Sequence, residues 1–242
     1  MNALKIFGFV AGSISANAVA GRVLCGGLCS RSLSISGGAD DELRRKLKEG
    51  TSLNAGEQIW IVDPSTNTPL RAGDRSEMRL HKLCHRATYI FLVRPSDGKL
   101  FVQKRSTQKD YKPGYWDPTP GGVVGYEESY ELNARRELEE EMGLSEVPLK
   151  WCFTFHFKDE DVDCWGDAWE GGWEGRPEDL NVQEEEVDKV ECMGVEEILE
   201  RSKAEDFTKD SMHALGLWKD WKGGWHGGKG GRKAFVGSNS IY

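Results

Sequence analysis

The sequence predicts an α+β layer sandwich, an α/β/α arrangement with a mixed central sheet between helices. Three observations carry this expectation. Short apolar or alternating runs lie on both sides of one strongly patterned helix; a glycine pair opens that helix; and two more helix-length segments follow near the end of the chain. At 242 residues and 38% hydrophobic content, the chain holds enough for one domain of roughly 150–180 residues plus tails. A formal charge of −8, with no basic stripe interleaved with aromatics, argues against a nucleic-acid-binding surface.

Residues 1–36 carry Lys5, Arg22 and Arg31, no acidic side chain, and many Ser, Ala and Gly. The remainder holds 29 basic and 40 acidic residues, net −11. An Arg-containing, Ser-rich, acid-free leader reads as an organellar transit peptide. Arg31–Ser36 has the form R-x-L-x-x-S of a mitochondrial processing site, so mitochondrial delivery is the expectation. The alternatives are a secretory signal (Lys5, the apolar run Ile6–Ala16, then A-x-A patterns), a plastid leader that combines both features, and a cytoplasmic protein. The apolar run is too short and too interrupted to span a bilayer.

Residues 37–56 read as a polar linker with a short charged helix at Asp40–Lys48, and the domain is expected over residues 57–221. Gln58–Asp63 is a strand, Pro64–Pro69 a turn, and Ser76–Leu83 one or two helical turns. Ala87–Val93 and Leu100–Lys104 pair through the hairpin signal Pro95-Ser-Asp-Gly98. A long loop, Ser106–Pro120, leads to the glycine pair Gly121-Gly122 and the central helix. Pro148–Phe157 alternates as a strand, and the Trp-, Gly- and Asp-rich Lys158–Leu180 reads as a surface excursion ending in another strand. Val187–Met193 is a strand, with helices at Val195–Arg201 and Thr208–Trp221. The Gly-, Lys- and Trp-rich tail, residues 222–242, reads as disordered.

The six cysteines follow no disulfide or metal spacing and read as reduced, mostly buried thiols. His81, Cys84 and His85 offer three zinc-type ligands, but a fourth at suitable spacing is missing.

The chemistry concentrates in Gly122–Leu144. Glu137, Glu140 and Glu141 stand at i, i+3 and i+4, so a helix presents their carboxylates on one face. Ala134, Leu138 and Met142 form a neighbouring stripe that can pack on a sheet. Three like charges so close raise one another's pKa unless a cation sits among them. A hard divalent ion, Mg²⁺ or Mn²⁺, held by a few carboxylates and a substrate phosphate, suits that set. Gly143 fits the left-handed position that ends a helix, and Gly121 and Gly122 allow backbone to approach a ligand. The competing reading of a glutamate run is a solvated face.

As a template the stretch is G-x5-E-x7-R-E-U-x-E-E-x-G-U, with U a bulky aliphatic. It is filled by Gly122, Glu128, Arg136, Glu137, Leu138, Glu140, Glu141, Gly143 and Leu144. This resembles the Nudix box at every constrained position. The resemblance implies a divalent-metal-dependent hydrolase that cleaves a diphosphate linkage, X-P-P, by water attack at phosphorus. Glu137, Glu140 and Glu141 would hold the metal, and Arg136 would orient a carboxylate. Nudix proteins often add a carboxylate from a downstream segment, here Glu184 as a further ligand and Glu186 as a base; the alternative for both is an exposed acidic turn. A box glutamate, such as Glu137 or Glu140, is the other candidate for taking the proton from water. Candidate contacts to a small-molecule diphosphate are the backbone at Gly121 and Gly122, a clamp from Lys104 and Arg105, and stacking by Trp116. Strand-end charge and core packing are the competing roles of the last three.

The flanks, His85-Arg-Ala87, Val102–Ser106, Pro113-Gly114 and Gln183–Val187, are similar to the Nudix branch of isopentenyl-diphosphate isomerase. That group places a catalytic cysteine and a following histidine before the helix; the aligned positions here are Gly121 and Val123. The common hydrolase loop reads GGxVExGE, whereas this chain has Gly125 and Glu127 where that pattern has Glu and Gly. Besides the hydrolase, an isomerase-like enzyme and a non-catalytic binding module are the remaining readings. No box carboxylate is lost, which is the usual mark of the last.

Overall fold

The computed structural model describes residues 36–50, 52, 54–224 and 234–235. The leader up to Ile35, and the tail apart from its first three residues and Ala234–Phe235, lie outside the described residues. In chain order the elements are α1 (Ser36–Glu49), β1 (Gln58–Val62), β2 (Pro69–Asp74), α2 (Arg75–His81), β3 (His85–Val93), β4 (Leu100–Arg105), β5 (Trp116–Asp117), α3 (Tyr130–Met142), β6 (Leu149–Lys158), β7 (Asp163–Gly172), β8 (Val187–Met193), α4 (Val195–Arg201), α5 (Lys209–Lys222) and β9 (Ala234–Phe235).

The strands form one sheet in the order β2-β1-β3-β7-β6-β9, with β4 joined to β3, β5 and β8. β3 pairs with β7 in parallel along its whole length, and β6 with β9 in parallel; the remaining pairs are antiparallel. The sheet is therefore mixed, as the sequence predicts. Alternation along β3 divides the core. Tyr89 and Phe91 join a cluster with Ala214, Leu215 and Trp218 of α5, while Ile90 and Leu92 join Ala134, Leu138 and Met142 of α3. The sheet thus lies between α3 on one face and α4 and α5 on the other.

Local chemistry fixes α3 at both ends. Ser129 accepts from the Leu132 N–H at 3.2 Å at its start. Gly143, at φ +70, closes it through an N–H donated to the Glu139 carbonyl. β3 and β4 are paired only at Val93 and Leu100 and then part. The gap is filled by the chain leading to α3. Trp116–Asp117 pairs with β4, and residues 120–124 run beside β3 through Thr88 N–H to Gly122 O, Ile90 N–H to Pro120 O and Val124 N–H to Arg86 O, each 2.9 Å. The glycine pair is laid against the sheet by this pairing.

Three expectations change. Lys158–Leu180 is not a surface excursion, because ten of its residues form β7, at the heart of the sheet between β3 and β6. Its glycines mark close packing instead of turns. A Cβ on Gly166 would stand 2.6 Å from ring carbons of both Phe155 and Tyr89. The turn after β1 leads into a further strand, β2, while the charged helix expected at Asp40–Lys48 is present as α1, which lies against α2 with Leu47 buried. In the tail, Ala234–Phe235 adds a short parallel strand beside β6.

Candidate active site

The acidic face of α3 points at the glycine pair. Glu137 is 7% exposed and Glu141 1% exposed. The Gly121 N–H donates to Glu141 Oε2 at 3.0 Å. A Cβ on Gly122 would sit 2.5 Å from the Glu137 carboxylate, so only glycine lets the backbone lie this close. Glu140 turns outward, its side chain 49% exposed, and pairs with Arg136 at 2.7 Å. Arg136 also reaches Glu128 and Glu137, each at 3.0 Å, so its fork of donors fixes three carboxylates. Glu128 in turn accepts from Asn133 Nδ2 at 2.9 Å and from the Gly125 N–H at 3.0 Å.

Across from α3, the strand-β4 residue Gln103 and the loop residue Lys109 complete the cluster. Lys109 Nζ donates to Glu141 Oε1 at 3.1 Å and also pairs with Glu186, which precedes β8. Gln103 Nε2 donates to Glu141 Oε2 at 3.3 Å, while its Oε1 is buried without a hydrogen-bond partner. Burial and the neighbouring Glu141 charge push the Glu137 carboxyl well above the usual range. Burial also works against the charged form of Glu186, but the Lys109 ammonium outweighs it and holds Glu186 below the usual range. This donor set suits a hard divalent cation. It has oxygen ligands in excess of nearby positive charge, an orphaned carbonyl oxygen beside them, and an ammonium already seated between two of the carboxylates.

Beside the glycine pair lies a cavity of about 50 Å³ lined by Arg75, Arg79, Arg105, Lys109, Tyr111 and Asp210, among others. Arg75 and Arg79 stand one turn apart on α2. Arg75 pairs with the buried Asp110 at 2.8 Å and with Glu57 at 2.7 Å, whereas Arg79 meets Asp110 at 3.5 Å and lies over the Tyr111 ring at 4.9 Å. Burial opposes ionisation of Asp110, yet these two guanidinium groups hold it far below the usual carboxylate range. His85, 2% exposed on the same wall, donates from Nδ1 to the Leu83 carbonyl at 3.1 Å; burial, then Arg79, push its pKa down to about 3.

The sequence candidates separate in space. Gly121, Gly122, Glu137 and Glu141 meet, Arg136 reaches Glu137, and Glu186 joins them through Lys109, whereas Glu140 turns outward on Arg136 and Glu184 faces solvent on the turn before β8. Arg105 lines the cavity, but its donors are engaged by the Tyr111 carbonyl at 2.9 Å and by Asp117 at 3.2 Å. Lys104 and Trp116 lie on the other face. Alternation along β4 sends Leu100 and Val102 toward α5 and Phe101 and Gln103 toward α3. Lys104 follows the first pair, its Nζ 5.1 Å from the Trp116 ring. That ring packs near Phe207 and donates from Nε1 to Glu205 at 2.7 Å. Among the described residues, Cys84 does not gather with His81 and His85 as a ligand set. The sequence reading gave no role to Arg75, Arg79 or Lys109. The available signal was a basic i, i+4 pair and a lone lysine before Asp110 in an acidic chain.

Two loop positions clarify the departure from the common pattern. Glu127 itself adopts φ +66, the left-handed conformation favoured by glycine, so the turn is kept and its carboxylate is exposed. Gly121 has φ +142, and a Cβ there would collide with the Thr88 carbonyl.

A family model described as the NUDIX domain matches residues 84–215. An uncharacterized Nudix hydrolase of Yersinia pestis is 41% identical over 162 residues, which span 67% of this chain and 85% of that protein. The uncharacterized Nudix hydrolase YfcD of Escherichia coli is 40% identical over 170 residues, 70% of this chain and 91% of its own. A Deinococcus radiodurans crystal structure superposes with a TM-score of 0.58 at 20% identity, covering 66% of this chain and 98% of that one, a likeness of fold.

Proposed function

Since this chain belongs to the Nudix hydrolase family, we propose that it hydrolyses a diphosphate linkage, X-P-P, by water attack at phosphorus, with Mg²⁺ or Mn²⁺ held on the acidic face of α3. The observation that carries this reading is the buried pair Glu137 and Glu141 against the Gly121–Gly122 backbone, with the Lys109 ammonium between Glu141 and Glu186. Glu137, Glu140 and Glu141 would hold the ion, with Glu186 facing them in preference to the exposed Glu184. When bound, the cation neutralises phosphate charge and polarises the scissile bond.

The chain's own groups do the remaining work. Arg136 fixes Glu128, Glu137 and Glu140 relative to one another. With no ion bound, burial and Glu141 raise the proton affinity of Glu137. A cation held by Glu137 would lower it again, so Glu186, which Lys109 holds in place, is the other carboxylate suited to taking a proton from water. Arg75, Arg79 and Lys109 line the cavity beside the glycine pair; each is paired with a carboxylate here and would exchange that partner to meet an anionic substrate.

The flanking motifs keep an isomerase-like ancestry in view, but the site favours hydrolysis. Isomerisation of an alkene needs a group that carries a proton where the similar isomerases have cysteine. The aligned residue here is Gly121, whose backbone leaves no room for a side chain. A non-catalytic module is disfavoured because every box carboxylate is present. The test is to incubate purified protein with nucleoside, sugar and prenyl diphosphates, with Mg²⁺ or Mn²⁺, and measure phosphate and monophosphate. Release from at least one compound is expected. Conversion of isopentenyl to dimethylallyl diphosphate, with no hydrolysis of any compound, would overturn the proposal.

A further inference from the structure

We propose that Cys84, His156 and Asp163 form a second metal site, suited to a borderline divalent cation such as Zn²⁺ and separate from the all-oxygen face of α3. Their ligand atoms, a sulfur, an imidazole nitrogen and a carboxylate oxygen, all lie within 4.8 Å of one another. Backbone register brings them together independently of side-chain choice. β3 and β7 run in parallel with His85 opposite Cys164, so Cys84 and Asp163, one residue earlier on each chain, are neighbours. β6 and β7 run antiparallel with Lys158 opposite Asp163, which places His156 diagonally from Asp163 on the same face.

Two of the three are already bonded together. Asp163 accepts from His156 Nε2 at 2.8 Å and from Lys158 Nζ at 2.6 Å, and the Cys84 sulfur lies within 4.8 Å of both ligand groups. Cys84 and Asp163 are buried, and the His156 side chain is 20% exposed, leaving a path to solvent. Mixed sulfur, nitrogen and oxygen ligands select Zn²⁺ or Co²⁺ over the hard ions that suit α3. Charge also balances. At present the Asp163 carboxylate is matched by the Lys158 ammonium, whose side chain is 65% exposed and free to leave. On coordination the S–H bond of Cys84 breaks and its proton passes to solvent, while the neutral imidazole of His156 shifts its proton from Nε2 to Nδ1. Sulfur and Nε2 each donate an electron pair to the metal, and Lys158 swings away. Thiolate and carboxylate then neutralise a 2+ ion.

The same three residue types could instead suggest a cysteine nucleophile. Here, though, the His156 imidazole is bonded to Asp163 and not to the thiol. Burial and Asp163 push its pKa up, the opposite of what a nucleophile needs. The site would tie the start of β3 to the β6–β7 hairpin.

The full chain, with excess Mg²⁺ present to occupy the α3 face, is titrated with Co²⁺ while its absorption is followed. A thiolate-to-cobalt charge-transfer band saturating at one equivalent and removed by added Zn²⁺ is expected. Cys84→Ser should abolish it, and His156→Gln, at a half-buried position that tolerates a neutral amide, should weaken Co²⁺ binding at least about tenfold. Glu141→Gln should leave the band unchanged, which separates this test from that of hydrolysis. Absence of the band in the wild type, its survival in Cys84→Ser, or unaltered affinity in His156→Gln would each overturn the proposal.

Discussion

Glu141 is almost fully buried, yet the groups that touch its carboxylate are donors: Lys109 Nζ, Gln103 Nε2 and the Gly121 N–H. Glu140, one residue earlier, is half exposed. The two positions therefore make different predictions. Glu140→Gln should lose turnover by at least about 100-fold while stability moves by less than about 0.5 kcal/mol, as for other exposed isosteric changes. Glu141→Gln should lose as much activity and also destabilise the metal-free fold by about 1–3 kcal/mol, because Lys109 loses a charged partner in the interior. Parallel kinetics and urea unfolding of the two variants check both. Equal stability losses would contradict the contrast in burial. At the loop, Glu127→Gly relieves a left-handed residue at φ +66 and should raise stability by a few tenths to about 1 kcal/mol, net of the greater freedom of glycine in the unfolded chain. A fall in the urea midpoint would contradict that reading.

Among elements, α3 was the most legible. Its glycine stop, its apolar stripe and its carboxylate spacing are all written in residues close in sequence, and each reappears in the structure. β7 was the least legible. DCWGDAWEGG resembles loop composition, and the reason for its glycines lies in strands far away in sequence. Phe155 and Tyr89 cover Gly166, and Val147 and Leu149 cover Gly171. The same limit applies at the site. Lys109 and Glu186 meet across 77 residues, and α2 brings Arg75 and Arg79 to a cavity that no local pattern announces. Which strand face Lys104 and Trp116 occupy was equally invisible, since alternation gives two faces without saying which one meets α3. Overpacking sets the test of β7. Gly166→Ala should cost about 1–3 kcal/mol in thermal or urea unfolding, because its methyl group meets two rings held by the core. A neutral effect would show that β7 is not packed as described.

For the molecule as a whole, stability should depend on pH through His85. Its folded pKa, about 3, lies below the ordinary value of 6.5, so between these the unfolded chain binds more protons than the folded one. Its contribution is therefore complete above pH 6.5 and is lost as pH falls toward 3, with a slope of at most about 1.4 kcal/mol per pH unit. His85→Gln should flatten the stability profile between pH 6.5 and 4.5; an unchanged slope would contradict the burial of a neutral imidazole. Mitochondrial delivery by residues 1–36 is likewise a proposal, resting on their acid-free composition. A reporter fused behind residues 1–50 should enter mitochondria, and a cytosolic reporter would contradict it.

At this same scale, under the proposed function, an acidic chain acting on an anionic diphosphate would need a cation between the two like charges, and the carboxylates of α3 would supply its ligands. The most direct measurement is hydrolysis of a responsive diphosphate in ¹⁸O-labelled water with Mg²⁺, wild type beside Glu141→Gln, with the products weighed by mass spectrometry. The wild type should release a phosphate product carrying one ¹⁸O atom, and Glu141→Gln almost none. No label in either phosphorus-containing product of the wild type, or full hydrolysis by the variant, would contradict water attack at phosphorus on the face of α3.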